Sequence, residues 1–249
     1  MIKVGIIGGS GLDDPTWIQN AKEIEVDTQW GEPSARLTVG RIDQTEVAIL
    51  PRHGENHRLS PLQVNNRANI QALKDAGVSH IIATTACGSL REEIRRGDFV
   101  IVDQLIDFTR FRKNTFFDSF EDGIHHAAMA EPFHAGLRDI LASVSQELHF
   151  PVHTKGTVVT IEGPRFSTMA ESKMLRAWGA DVVNMSTAPE AILANEAEIP
   201  YAAIAMSTDY DCWKEEEEPV SWQEVLKVFQ KNADNVKRVL LGAVNRLTP

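Results

Sequence analysis

The chain has 249 residues, enough for one large or two small domains with a sizeable core and too many for a disulfide-stapled peptide scaffold. Hydrophobic residues make up 43% and charged residues 24%, which excludes a disordered chain and points to a packed domain. Lysine plus arginine total 25 against 35 aspartate plus glutamate, a net charge of −10. Such a surface repels nucleic acid and anionic membranes, so any anionic ligand has to be held by a local site.

Cys87 and Cys212 are far apart, and neither belongs to a C-x-x-C pair. Spacing therefore offers neither a disulfide framework nor a cysteine zinc site, and a reducing compartment is expected. The run Met1–Ile7 meets Gly8-Gly9 too soon for a signal peptide. No stretch approaches the ~18 apolar residues of a membrane span. A soluble, cytoplasmic protein follows as the expectation. The sequence has no repeat, low-complexity tract or linker, so a single domain over residues 1–249 is the simplest organisation.

Taken in chain order, short β-branched runs at Val4–Ile7, Val47–Leu50, His80–Thr85, Phe99–Val102, Thr157–Ile161, Asp181–Val183 and Ala202–Met206 read as buried strands. Helical patterns lie between them. Ser60-Pro61 opens and Gly77 closes a helix over Pro61–Ala76. Leu137, Ile140, Leu141, Val144 and Leu148 recur at helical spacing. Thr168-x-x-Glu171, with a stop at Gly179, and Thr187-x-x-Glu190 fit capping boxes, and Ser221-x-x-Glu224 opens a last helix running toward Leu247. This alternation predicts an α/β domain, a central mixed and largely parallel β-sheet flanked by helices, with ligands at the carboxyl ends of its strands.

Polar clusters stand at those strand ends. Gly8-Gly9-Ser10-Gly11 can cradle an anion with backbone N–H groups and a hydroxyl, although the third glycine of a dinucleotide fingerprint and the lysine of a P-loop are both missing. Arg52-His53-Gly54 supplies a guanidinium fork and an imidazole donor whose charge responds near neutral pH; the alternative for Arg52 is an ion pair with one of the acidic side chains. His53, Glu55 and His57 do not form H-E-x-x-H, and Gly54 opposes a helix that would bring the two rings together, so no metal is expected. Thr84–Ser89 can donate hydroxyl and amide hydrogens to an oxyanion, Cys87 reads as a buried structural thiol, and Asn184-Met185-Ser186 repeats the arrangement. Asp209 and Asp211, two apart in an extended segment, are expected to face one pocket and raise each other's proton affinity.

Four blocks in order, Gly5–Pro15, Thr84–Glu93, Thr160–Ser167 and Thr208–Glu215, resemble the methylthioadenosine-cleaving members of the trimeric purine nucleoside phosphorylase family, over nearly the whole chain. The resemblance implies reversible phosphorolysis of S-methyl-5′-thioadenosine to adenine and 5-methylthioribose 1-phosphate, with inorganic phosphate as co-substrate and no cofactor. It assigns phosphate to Ser10, Arg52, His53, Thr85, Ala86 through its backbone, and Ser186. Met185 would pack on the ribose, Phe166 near the base, and Trp222 and Val225 in the 5′-pocket, where Trp222 replaces the familiar valine. Asp209, Asp211 and His53 would be the catalytic groups, Asp209 sharing a proton with purine N7. Relatives acting on 6-oxo purines carry asparagine in place of Asp209 and glutamate in place of Ser167, so the pair found here favours a 6-amino purine. A broader purine nucleoside or methylthioinosine phosphorylase is the alternative activity. His126 matches a residue that reaches a neighbour's site, which implies a homotrimer or a dimer of trimers.

Overall fold

The β-branched runs assemble into one sheet whose strand order decides where a ligand can sit. The computed structural model describes residues 2–8, 15–121, 123–217 and 221–247. Its strands are β1 (Lys3–Gly8), β2 (Gln19–Ile24), β3 (Leu37–Ile42), β4 (Thr45–Pro51), β5 (His80–Ser89), β6 (Phe99–Ile101), β7 (Gln104–Phe108), β8 (Val152–His153), β9 (Thr157–Ile161), β10 (Val182–Asn184) and β11 (Tyr201–Asp209). The helices are α1 (Asn66–Asp75), α2 (Ala135–Glu147), α3 (Met169–Ala177), α4 (Thr187–Glu196) and α5 (Trp222–Arg246).

The pairings β1–β4, β1–β5, β5–β11, β6–β8, β7–β9 and β9–β10 are parallel. Those of β2 with β3, β3 with β4, β5 with β10 and β6 with β11 are antiparallel. The sheet is therefore mixed and mostly parallel, as the alternating pattern predicts, and it forms the centre of a single α/β domain. Side chains alternate across its two faces. Val4 and Ile6 of β1 join the cluster built on α2 and α5, with Leu137, Leu141, Val236 and Leu240. Ile7 joins the cluster on the other face, with Ile70 and Leu73 of α1 and Leu193 of α4.

β5 changes neighbours partway along its length. Its first half pairs with β1 as far as Ala83, and its end pairs with β10 from Gly88 onward. On that side, Thr84–Cys87 face no strand among the described residues, while β11 pairs along the other side, with a register shift between Ser207 and Asp209. This opening is a topological switch point, the place in an α/β sheet where strand ends diverge and a crevice forms.

The seven forecast strands all form, several of them longer than the apolar run that signals them. β2 carried no such signal because five of its six residues are exposed and polar or small. β3, β7 and β8 are short or half-buried, with too little continuous apolar character to stand out. The first helix differs from expectation. It starts at Asn66 instead of Pro61, because Asn65 caps it by accepting the Ala68 N–H at 3.2 Å. Ser60 instead closes a local turn with Gln63. Gly77, at φ 79°, and Gly179, at φ 92°, end α1 and α3 in the left-handed conformation that glycine adopts without strain. Thr168 and Glu171 form the reciprocal capping box ahead of α3. The box predicted at Thr187 and Glu190 does not form: Ser186 occupies the N-cap position of α4, and the Glu190 carboxylate is turned elsewhere.

Thr168→Ala is expected to lower stability by about 1 kcal/mol, the usual worth of a side-chain N-cap. A urea midpoint lowered at unchanged slope checks it.

Candidate functional site

A cavity of about 500 Å³ opens at the divergence of β5, lined by residues from six regions of the chain. The Thr85–Gly88 stretch of β5 is its floor; Arg52 and His53, after β4, form one wall; Asn184, Met185 and Ser186, after β10, form the other. Asp209 and Asp211 close one end, and Trp222, Val225, Leu226 and Phe229 at the start of α5 cover the opposite side.

Hydrogen-bond donors gather between Arg52 and the start of α4. Arg52 is only 2% exposed. Its Nε donates to Glu190 Oε1, its Nη2 donates to Glu190 Oε2 at 3.0 Å, and its Nη1 donates to the Thr84 carbonyl at 2.9 Å. Burial opposes the charge on Arg52, but the Glu190 carboxylate more than offsets this and holds its pKa above the ordinary value. Of the five N–H donors of a guanidinium, these bonds leave one on each terminal nitrogen. The Asn184 carboxamide sets the neighbouring hydroxyls. It donates to Thr85 Oγ1 at 3.2 Å and accepts from Thr160 Oγ1 at 2.8 Å, while Thr85 and Ser186 stand 3.2 Å apart, hydroxyl to hydroxyl. Ser186 makes no capping bond of its own to α4, and its hydroxyl lines the cavity beside Thr85.

His53 differs from its predicted role. Its Nδ1 lies 2.9 Å from the Leu59 carbonyl, which can only accept, so Nδ1 carries the proton. Burial, Arg52 and His57 lower its pKa to about 3. The ring is therefore neutral at physiological pH, its charge does not respond near neutrality, and Nε2 is an acceptor, not a donor. The His57 ring stacks on it at 4.1 Å between centroids and leans on Trp222 at 5.3 Å. Gly54, at φ 72°, does not keep the histidines apart: the turn at Glu55–His57 folds them face to face. Among the described residues, no group of three or more His, Cys, Asp and Glu is arranged to hold a metal.

The opposite end has a raised affinity for a proton. Asp209 is 7% exposed, and burial pushes its pKa up to about 6, against the bonds it accepts from Thr208 Oγ1 at 2.7 Å and the Asp211 N–H at 2.8 Å. The Asp211 charge adds a smaller push in the same direction. Asp211 is raised as well, chiefly by burial, with the Ser172 and Ser167 hydroxyls beside it acting against the rise. The two carboxyl groups do not meet through an extended segment. Asp211 is left-handed at φ 48°, and the chain turns around the Asp209 side chain. Cys87 stays a thiol, because burial and the nearby Asp209 raise its pKa well above the usual value.

A model of the phosphorylase superfamily matches residues 3–245. The chain belongs to the phosphorylase superfamily. It is 54% identical to the S-methyl-5′-thioadenosine phosphorylase of Xenopus tropicalis over 250 residues, covering 99% of this chain and 89% of that protein. It is 51% identical to the corresponding enzyme of Danio rerio, with the same coverage. The solved structure of methylthioadenosine phosphorylase from Schistosoma mansoni in complex with adenine superposes with a TM-score of 0.94 at 44% identity, over 99% of this chain and 92% of that one.

In this superfamily member, Arg52, His53, Thr85, Ala86 and Ser186 come together around the donor-rich wall, and Phe166, Met185, Asp209, Asp211, Trp222 and Val225 line the rest of the cavity. Ser167 stands behind Asp211 and does not line the cavity. His126 lies in the exposed segment before α2, edge-on to Phe120 at 5.3 Å and away from this chain's own cavity. Ser10 lies outside the described residues. Sequence reasoning missed Asn184 and Thr208 as organisers of the hydroxyls and of Asp209, and His57 as part of the wall. It also assigned Glu190 to a helix cap. A single acid inside the otherwise apolar stretch Ala188–Leu193 was the available signal that Glu190 is buried and paired.

A methyl group on Gly88 would lie 2.8 Å from Asp209 Oδ1 and 3.3 Å from Asp211 Cβ. Gly88→Ala is therefore expected to displace Asp209 and to lower kcat/KM at least about tenfold, the loss that follows from about 1.4 kcal/mol of misplaced transition-state contact. Steady-state rates beside a thermal melt check it, the melt showing that the variant still folds.

Proposed function

We propose that this chain catalyses the reversible phosphorolysis of S-methyl-5′-thioadenosine to adenine and 5-methylthioribose 1-phosphate. One observation carries the reading: a single cavity holds unspent donors at one end and a buried carboxyl group of raised proton affinity at the other. Phosphate, held by Arg52, Thr85, the Ala86 amide, Ser186 and Ser10, attacks the anomeric carbon as the bond to purine N9 breaks. The acceptor Nε2 of His53 takes a hydrogen bond from the remaining P–OH of a monoprotonated phosphate. The leaving adenine is a poor anion, and Asp209 lowers the barrier by sharing its proton with N7. An aspartate of pKa near 6 is about one-tenth protonated at pH 7, against about one in a thousand for an ordinary one. The 6-amino group of adenine suits the acidic end, whereas a 6-oxo group would face a carboxylate oxygen. Phe166 and Met185 flank base and ribose, and the indole of Trp222 with Val225 gives the 5′-methylthio group an apolar wall.

The reaction needs no cofactor or metal, phosphate being the second substrate. Phe111 and Ile124, in the same stretch between β7 and α2 as His126, are about three-quarters exposed, which supports a homotrimer in which a neighbour covers this segment. The free thiols of Cys87 and Cys212 fit the reducing cytoplasm, and among the described residues no helix is long and apolar enough to cross a membrane.

Purified protein is expected to release adenine from S-methyl-5′-thioadenosine only when phosphate is present, with inosine and methylthioinosine turned over far more slowly. Release without phosphate would indicate a hydrolase and overturn the proposal. The pH dependence tests Asp209. As the pH falls from about 8 toward about 6, protonated Asp209 increases and kcat/KM should rise with it, whereas Asp209→Asn should lose that rise. Phosphate titrates identically in both enzymes, so the ratio of the two profiles isolates the side chain. The same variant should also narrow the preference for 6-amino over 6-oxo purines.

A further inference from the structure

Arginine carries its charge on a flexible stem, and holding it in one orientation has an entropic cost unless its surroundings already fix it. Here they do. Glu190 is fully buried and contacts the guanidinium through both carboxylate oxygens. Tyr201, at the start of β11 and 1% exposed, donates its hydroxyl to Glu190 Oε2 at 2.9 Å. The tyrosine is itself fixed, its ring against Phe133 at 6.0 Å between centroids and its carbonyl accepting the His134 N–H at 2.8 Å. Neither Glu190 nor Tyr201 lines the cavity.

We propose that Glu190 and Tyr201 are positioning residues that hold Arg52 in the one orientation able to take phosphate, a role that rests on reading the cavity as a phosphorylase site. A purely electrostatic view predicts the opposite sign. Glu190 is an anion near the place where a second anion binds, so removing its charge should tighten phosphate binding. Positioning predicts that binding weakens, because the released guanidinium samples several rotamers. A staple with no role beyond stability would lower the melting temperature and leave phosphate affinity alone.

The test uses the full-length enzyme, wild type, Tyr201→Phe and Glu190→Gln. Equilibrium binding of radiolabelled inorganic phosphate is measured alongside KM for phosphate, KM for S-methyl-5′-thioadenosine, and kcat. Tyr201→Phe keeps the ring and removes only the hydroxyl. It is expected to weaken phosphate binding about threefold to tenfold, the scale of one typical intramolecular hydrogen bond, while nucleoside KM stays within about twofold. Glu190→Gln is expected to weaken phosphate binding at least about tenfold, and if that variant fails to fold Tyr201→Phe decides. Phosphate affinity unchanged or increased in Tyr201→Phe and in folded Glu190→Gln overturns the proposal, whatever happens to the melt. Wild-type protein that binds no phosphate overturns the phosphorylase reading and this inference with it, whereas phosphate binding that ignores the substitutions overturns the inference alone.

Discussion

The ion pair between Arg52 and Glu190 bridges the one place where the sheet comes apart. Arg52 follows β4, on the side of β5 that β1 occupies, and Glu190 sits in the first turns of α4, directly after β10 on the side where the sheet resumes. Between them, Thr84–Cys87 carry backbone and hydroxyl groups with no strand beside them on that side among the described residues. Closing this gap with another strand would satisfy those groups and remove the cavity. Spanning it with a buried ion pair keeps the walls together and leaves the floor open. Truncating one member of such a pair strands an uncompensated buried charge, which typically costs about 3–5 kcal/mol. The pair therefore joins the stability of the fold to the shape of its site.

The same pair explains how an acidic chain can hold an anion. With net charge −10, attraction cannot come from the surface at large, and the guanidinium is already matched by a carboxylate. What remains is a set of oriented dipoles: two guanidinium N–H groups and the hydroxyls of Thr85 and Ser186 set by Asn184. In a low-dielectric cavity, oriented donors are worth far more than in water and need no rearrangement on binding. At the far end the logic is reversed. Burial of Asp209 disfavours its charged form and raises its pKa to about 6, so that a far larger fraction is protonated near neutrality than for an ordinary aspartate. One cavity thus offers donors to an anion at one end and a transferable proton at the other.

Much of this was legible in the residues. Continuous β-branched runs located the seven principal strands because strands buried on both faces need apolar side chains at every position. Polar clusters located the site because carboxyl ends of parallel strands are where such groups converge. Thr168-x-x-Glu171 produced its capping box because that motif is satisfied by neighbours in sequence alone. Thr187-x-x-Glu190 has the same spacing and did not. A buried guanidinium and a tyrosine hydroxyl, brought close by β4 and β11, compete for the Glu190 carboxylate and win it from the helix end.

The sequence by itself determined the α/β class, the principal strands, the candidate residues and the chemistry their types allow, because these depend on periodicity, capping and functional-group identity within short windows. The protonation states were decided only in three dimensions. His53 is neutral because burial and Arg52 suppress its charge, the Leu59 carbonyl setting its tautomer, and Asp209 has a raised proton affinity because the folded chain removes it from water. The partner of Arg52 was decided in the same way, since 138 residues separate it from Glu190. Contacts of that range and the dielectric they create follow from the packing of the whole sheet, which no local stretch of sequence encodes.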